Sequence, residues 1–211
     1  PKDSAKDQTY FLYSVDRERL GRVVFPLGDL TKEEVRKIAA EAGLKVSEKP
    51  ESQDVCFWPE EGGATFFESR GIESVPGDIV SVDGDLLGRH DGIFKYTVGQ
   101  RRGLGISAPD PLYVISIDPE TNVIVVGEEK HLFSDTLTAK AVNFLPGETG
   151  GRVEGKIRYA HGPEPCEFSL DGNTLEVRFD KPQKAVTPGQ SIVLYRGVVV
   201  IGGGIIGRQK L

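Results

Sequence analysis

Methionine is missing from all 211 residues, and the chain begins at Pro1. Both facts raise the expectation of a processed or cut piece of a longer protein. Cysteine is nearly missing too: Cys56 and Cys166 are the only two. That excludes a disulfide framework and fits a reducing cytoplasm, the location we expect. Neither cysteine belongs to a Cys-x-x-Cys pair, which sets aside a thiol–disulfide oxidoreductase. No apolar run approaches the ~20 residues that a membrane-spanning helix needs. The opening Pro-Lys-Asp-Ser-Ala-Lys-Asp has no apolar signal region, so no membrane partner is expected. Histidine is scarce, and His90, His131 and His161 share no ligand spacing with one another or with the cysteines. No metal site is expected from them, and His90 is read as structural.

A basic surplus is also lacking, since the net charge is −6. Its distribution is uneven. Residues 1–75 carry 11 basic and 15 acidic side chains, residues 76–134 carry 5 and 9, and residues 135–211 carry 10 and 8. The last third is therefore the part best suited to phosphates, although many solvated surfaces have this balance.

What is present reads as an ordinary globular chain, 38% apolar and 27% charged, long enough for one or two domains with a core. Among Tyr10, Phe11 and Tyr13 some aromatic surface has to be buried, while Lys6, Asp7 and Gln8 before them are polar and available. Thr31 and Glu34 have the spacing of a capping box. Val35, Ile38, Ala39 and Ala42 then give a helical apolar stripe, and Gly43 supplies the stop. From Gly77 onward short strands alternate with turns. Asp83-Gly84 and Pro119-Glu120-Thr121-Asn122 each separate a hairpin pair. Further strands are expected at about 153–160, 166–170, 174–179 and 191–201, a spacing that suggests a small antiparallel barrel. Boundaries near 75 and 135 divide the chain into 1–75, 76–134 and 135–211.

Three places carry candidate chemistry. The loop Lys49 to Phe57, Lys-Pro-Glu-Ser-Gln-Asp-Val-Cys-Phe, offers Cys56 as a nucleophile or sulfur carrier, or else as a small buried hydrophobe. Residues 88–106 hold five glycines, with Arg101 and Arg102 available either to phosphate or to nearby acids. Cys166 alternates with Phe168 and Leu170 on one strand face and is read as a core residue.

The motifs Lys6-Asp7-Gln8-Thr9-Tyr10-Phe11-Leu12, Ser52-Gln53-Asp54-Val55-Cys56-Phe57 and the 88–106 stretch stand in the order seen in tRNA-specific 2-thiouridylases. Thr187-Pro188-Gly189-Gln190-Ser191 and Gly202-Gly203-Gly204-Ile205-Ile206 resemble the same family, so the match covers essentially the whole chain. The resemblance implies tRNA 2-thiolation: ATP adenylates the C2 oxygen of wobble uridine 34, and a protein persulfide then supplies sulfur to C2. It implies that Cys56 bears the persulfide, that Lys6, Asp7, Gln8, Arg158, Tyr159 and Gln190 bind tRNA, and that a sulfur-donor protein loads the thiol. The family's Ser-Gly-Gly-x-Asp-Ser phosphate loop and second catalytic cysteine have no counterpart here. Gly202-Gly203-Gly204 is no substitute, because no Lys or Ser/Thr follows it.

The chain is thus expected to be the C-terminal two-thirds of such an enzyme, inactive alone and with no cofactor of its own. ATP, with Mg2+, would be held by the ATP-pyrophosphatase domain that it lacks. The expected fold is mixed and mainly β: a short helical tail of that α/β domain, a small β-rich central domain and a C-terminal antiparallel β-barrel. Two alternatives stay open: a stand-alone RNA-binding β-barrel module with an incidental cysteine, and an Arg158-Tyr159 pair lying in an ordinary barrel strand with one side chain facing out.

Overall fold

The threonine and glutamate spaced as a capping box do form one. In this computed structural model, which describes residues 1–48, 66–67 and 69–208, Thr31 Oγ1 accepts the Glu34 N–H at 3.3 Å and Glu34 accepts the Thr31 N–H at 2.6 Å. Two orphan amides at the helix start are thereby satisfied. Ahead of it, a short helix α1 (Arg17–Leu20) is capped by Asp16, whose carboxylate takes the Glu18 N–H at 2.8 Å. The capped helix is α2 (Lys32–Glu41), and Gly43 closes it at φ +69°, the left-handed conformation that glycine adopts without a Cβ penalty. The expected apolar stripe is on the helix, but none of its residues is buried, and Ile38 is 50% exposed.

The described residues fall into two compact units. One gathers those within Pro1–Gln53, Thr138–Val177 and Gly189–Gly207; the other, those within Asp54–Leu137, Arg178–Pro188 and Arg208–Leu211. The second contains β1 (Gly77–Ser81), β2 (Leu86–His90), β3 (Tyr113–Asp118) and β4 (Val123–Gly127), in a sheet of order β2-β1-β4-β3. Both expected hairpins are present, and β1 also runs parallel to β4, with Ile79 opposite Ile124. Those two residues, with Val114 and Val126, are fully buried. His90 is buried beside them. Its Nδ1 accepts the Gly92 N–H at 3.1 Å, which leaves Nε2–H to donate to the Asn122 carbonyl at 3.1 Å. Both ring nitrogens are thus engaged with backbone groups.

The remaining strands are β5 (Phe133–Phe144), β6 (Gly150–Lys156), β7 (Glu164–Asp171), β8 (Thr174–Lys184), β9 (Ser191–Arg196) and β10 (Val199–Ile206). They close a barrel in the order β10-β5-β8-β7-β6-β9. Period-two burial marks its inward face: Cys166 and Phe168 on β7, and Leu175 and Val177 on β8. Cys166 is 0% exposed, as its alternation suggested.

Two expectations needed correction. The strand foreseen over 191–201 is two strands, because Gly197 at φ +60° turns the chain between β9 and β10. The strand foreseen to residue 160 stops at Lys156. The long β5 was not foreseen. Strand β9 departs from alternation, with Ile192 through Tyr195 all buried. The reason is a 3₁₀ helix, Thr9–Ser14, whose Tyr10 and Tyr13 cover Val193 and Tyr195 on the other face. Asn143 fastens the helix by donating from Nδ2 to the carbonyls of Tyr13 at 2.7 Å and Val15 at 3.1 Å.

Candidate nucleic-acid interface

Short polar residues shape the N-terminal part of the candidate site. Asp3 caps a 3₁₀ turn, Ser4–Lys6, and also accepts the Lys32 N–H at 3.0 Å. The Asp7 carboxylate takes the Thr9 N–H at 2.8 Å and so starts the next helix, which Gln8 precedes without lending its own side chain to the cap. Lys6, Asp7 and Gln8 line a cleft of about 630 Å³ together with Phe11, Leu27 and Val35.

A second recess, of about 490 Å³, lies where β6 ends. The chain turns there, with the His161 N–H donating to the Arg158 carbonyl at 3.2 Å. Arg158 and Tyr159 therefore sit in a turn, not in a barrel strand with one of them facing away, and both line the recess. Arg158 Nε donates to Gln190 Oε1 at 3.2 Å across 32 residues of sequence. Tyr10 donates its hydroxyl to the Ser191 carbonyl at 2.8 Å, and the Tyr13 and Ser191 hydroxyls share a hydrogen bond of 2.8 Å. Burial, with the neighbouring Tyr13 and Tyr195, pushes the Tyr10 hydroxyl up to about 12, so it stays a donor through the physiological range.

Tyr10 and Tyr13 are buried, but Phe11 between them is 55% exposed and Tyr159 is 38% exposed. Their rings lie 5.1 Å apart at 31°. Lys156 Nζ is 5.8 Å from the Tyr159 ring centre and 6.0 Å from that of Tyr10. Partial burial, then the charges of Arg158 and Lys156, hold the His161 imidazole below its ordinary value. The recess thus combines exposed aromatic faces with a positive field.

The structure gathers Lys6, Asp7 and Gln8 in one hollow and Arg158, Tyr159 and Gln190 in the other, with Phe11 lining both. Cys56 and its loop from Lys49 to Phe57 lie outside the described residues. Phe11, Lys156 and His161 were not among the site residues expected from the sequence. The aromatic run Tyr10 to Tyr13 was the available signal, but it did not say which ring stays outside.

The glycine triplet of the last strand does not fit the phosphates of ATP. Gly202-Gly203-Gly204 is buried in β10, where a Cβ on Gly203 would meet the Ile192 carbonyl and Tyr13 Cδ2 at 2.7 Å, and one on Gly204 would meet Val142 Cγ1 at 2.9 Å. These glycines allow close packing and leave no phosphate cradle.

Three family models match in succession: the tRNA methyl transferase HUP domain over residues 1–60, the tRNA methyl transferase PRC-barrel domain over 64–128, and the aminomethyltransferase beta-barrel domain over 134–206. The chain is 48% identical over 208 residues to the tRNA-specific 2-thiouridylase MnmA of Geotalea uraniireducens, covering 97% of itself and 56% of that protein. It is 47% identical to its namesake in Geobacter metallireducens, with the same coverage. With that of Aquifex aeolicus the identity is 46%, over 98% of this chain and 58% of the relative. The chain spans somewhat more than half the length of these curated relatives. Matched along nearly all its residues, it belongs to the tRNA-specific 2-thiouridylase family.

Proposed function

We propose that this chain supplies the sulfur carrier and the tRNA-holding surface of a tRNA-uridine 2-sulfurtransferase, which places persulfide sulfur at C2 of wobble uridine 34. The observation that supports this best is the recess in which Arg158, Tyr159 and Gln190, far apart in sequence, meet beside Lys156. Guanidinium and ammonium groups suit phosphate, an aromatic ring suits a base, and a carboxamide suits a base edge. Lys6, Asp7 and Gln8 extend that surface along the neighbouring cleft.

In this reading Cys56 accepts the outer sulfur of a donor protein's persulfide, and its terminal sulfur then attacks C2 as the adenylated oxygen leaves as AMP. A second thiol, the family's second catalytic cysteine that has no counterpart in this chain, forms a disulfide with Cys56 and releases the sulfur on C2. Covalent catalysis thus splits a difficult substitution into easier steps. Cys166 takes no part, being fully enclosed in the barrel. Activation of the C2 oxygen by ATP with Mg2+ is assigned to no residue of this chain. The division of labour follows 1–75 with the Cys56 loop, 76–134 as the central β-rich part and 135–211 as the barrel. The working place is the cytoplasm; among the described residues no helix is long and apolar enough to cross a membrane.

Mass spectrometry after incubation with a persulfide donor tests the reading. We expect an adduct of about 32 Da, one sulfur atom, on Cys56 and none on Cys166. Arg158→Ala should weaken tRNA binding with the fold intact. An adduct on Cys166 instead would overturn the assignment. RNA binding without any adduct would favour a stand-alone RNA-binding barrel.

A further inference from the structure

We propose that the recess beside β6 takes one unpaired RNA nucleotide, its base stacked on Phe11 and its phosphate beside Lys156. The proposal rests on the tRNA reading above and adds to it the part of the RNA held here and the two side chains that hold it. Phe11 is the ring that the local fold leaves outside. Tyr10 and Tyr13 turn onto β9, whereas Phe11 keeps more than half its surface in solvent with Tyr159 behind it at 5.1 Å. A phenyl ring offers no hydrogen bond, so what it presents is a flat apolar face, the feature on which a base of any identity stacks.

Charge complementarity fixes the class of ligand. Arg158 lines the recess, Lys156 Nζ lies within 6.0 Å of the centres of two of its rings, Tyr159 and Tyr10, and the two cations together act on His161. Cations beside an exposed ring suit a phosphate joined to a base. The base has to be unpaired, because the faces of bases within a duplex are already stacked on their neighbours. The volume of about 490 Å³ lies in the range of single-ligand pockets. Gln190 adds a preference: its carbonyl oxygen accepts from Arg158, which leaves the carboxamide N–H groups to meet an acceptor on the base edge.

Fluorescence anisotropy with the full 211-residue chain tests this, using a short RNA stem–loop and a blunt RNA duplex of the same stem. Wild type should prefer the stem–loop. Phe11→Ala and Phe11→Leu should each bind the stem–loop about ten-fold more weakly and the duplex as before, while Phe11→Tyr keeps near wild-type affinity. Lys156→Ala should lower the salt slope by about one. Stem–loop binding by Phe11→Leu at wild-type strength overturns the stacking, as does an equal loss on both RNAs. If Arg158→Ala weakens the stem–loop and Phe11→Leu does not, the stack alone is wrong. If wild type binds neither RNA, the tRNA reading falls with it.

Discussion

Gly203 shows how much one residue without a side chain can decide. It lies in β10 beneath the ring of Tyr13, and a methyl group there would press on Tyr13 Cδ2 at 2.7 Å and on the Ile192 carbonyl. Gly203→Ala should therefore cost about 1–3 kcal/mol through overpacking, seen as a lower denaturant midpoint with an unchanged slope. An unchanged midpoint would mean that the 3₁₀ helix can lift off the barrel freely. The sequence carried the glycine triplet but not its purpose. Three glycines in a row argue for a loop, since glycine is depleted in strands, and only close tertiary packing explains them inside a strand: Phe144 against Gly202, Tyr13 against Gly203 and Val142 against Gly204. Phe11 is the converse case. Residues three apart share a face in a 3₁₀ helix, so Tyr10 and Tyr13 go together, but nothing in Tyr-Phe-Leu-Tyr says that this face packs on β9 and leaves Phe11 in solvent.

At the scale of the element, α2 was legible to within a residue because its signals are local. The cap, the stripe and the terminal glycine act within one or two turns. What local signals could not supply is Lys2, whose ammonium meets both Glu34 carboxylate oxygens, at 2.6 and 2.8 Å. That hydrogen bond first, and the Thr31 amide second, lower the Glu34 carboxyl to about 2 from an ordinary 4.5. Because the folded-state value is depressed, the resulting stabilisation is complete above pH 4.5 and is lost as the pH falls through about 2. Lys2→Ala should bring the Glu34 midpoint back towards the ordinary value in a carboxyl-detected NMR titration. A midpoint unchanged in that variant would assign the whole shift to the cap. Strands were legible where period two or a tight turn marked them, as at β1, β2, β7 and β8. β9 was harder, because burial of both its faces replaces alternation with a continuous apolar run.

For the molecule as a whole, the fold brings Arg158, Tyr159 and Gln190, far apart in sequence, to one recess. On the proposed reading, in which Cys56 carries sulfur and the recess holds tRNA, a chain without the family's phosphate loop in its sequence should form no 2-thiouridine from tRNA, ATP and a persulfide donor, while still binding tRNA in filter or anisotropy assays. Liquid chromatography of the digested nucleosides checks this, and thiolated uridine above background would show that the chain activates the base by itself.

The sequence by itself determined the family, the mainly β class, the helix cap and the two hairpins, because each depends on residues close along the chain or on motifs in a fixed order. It also marked Cys166 as a core residue by simple alternation. Tertiary structure alone decided that Arg158 reaches Gln190 across 32 positions and that the turn after Lys156 frees Tyr159 from the strand. It also decided that a helix from the first fifteen residues seals the outside of β9 and leaves Phe11 uncovered. These depend on barrel closure, which joins β6, β9 and β10 through contacts that no local window of sequence contains.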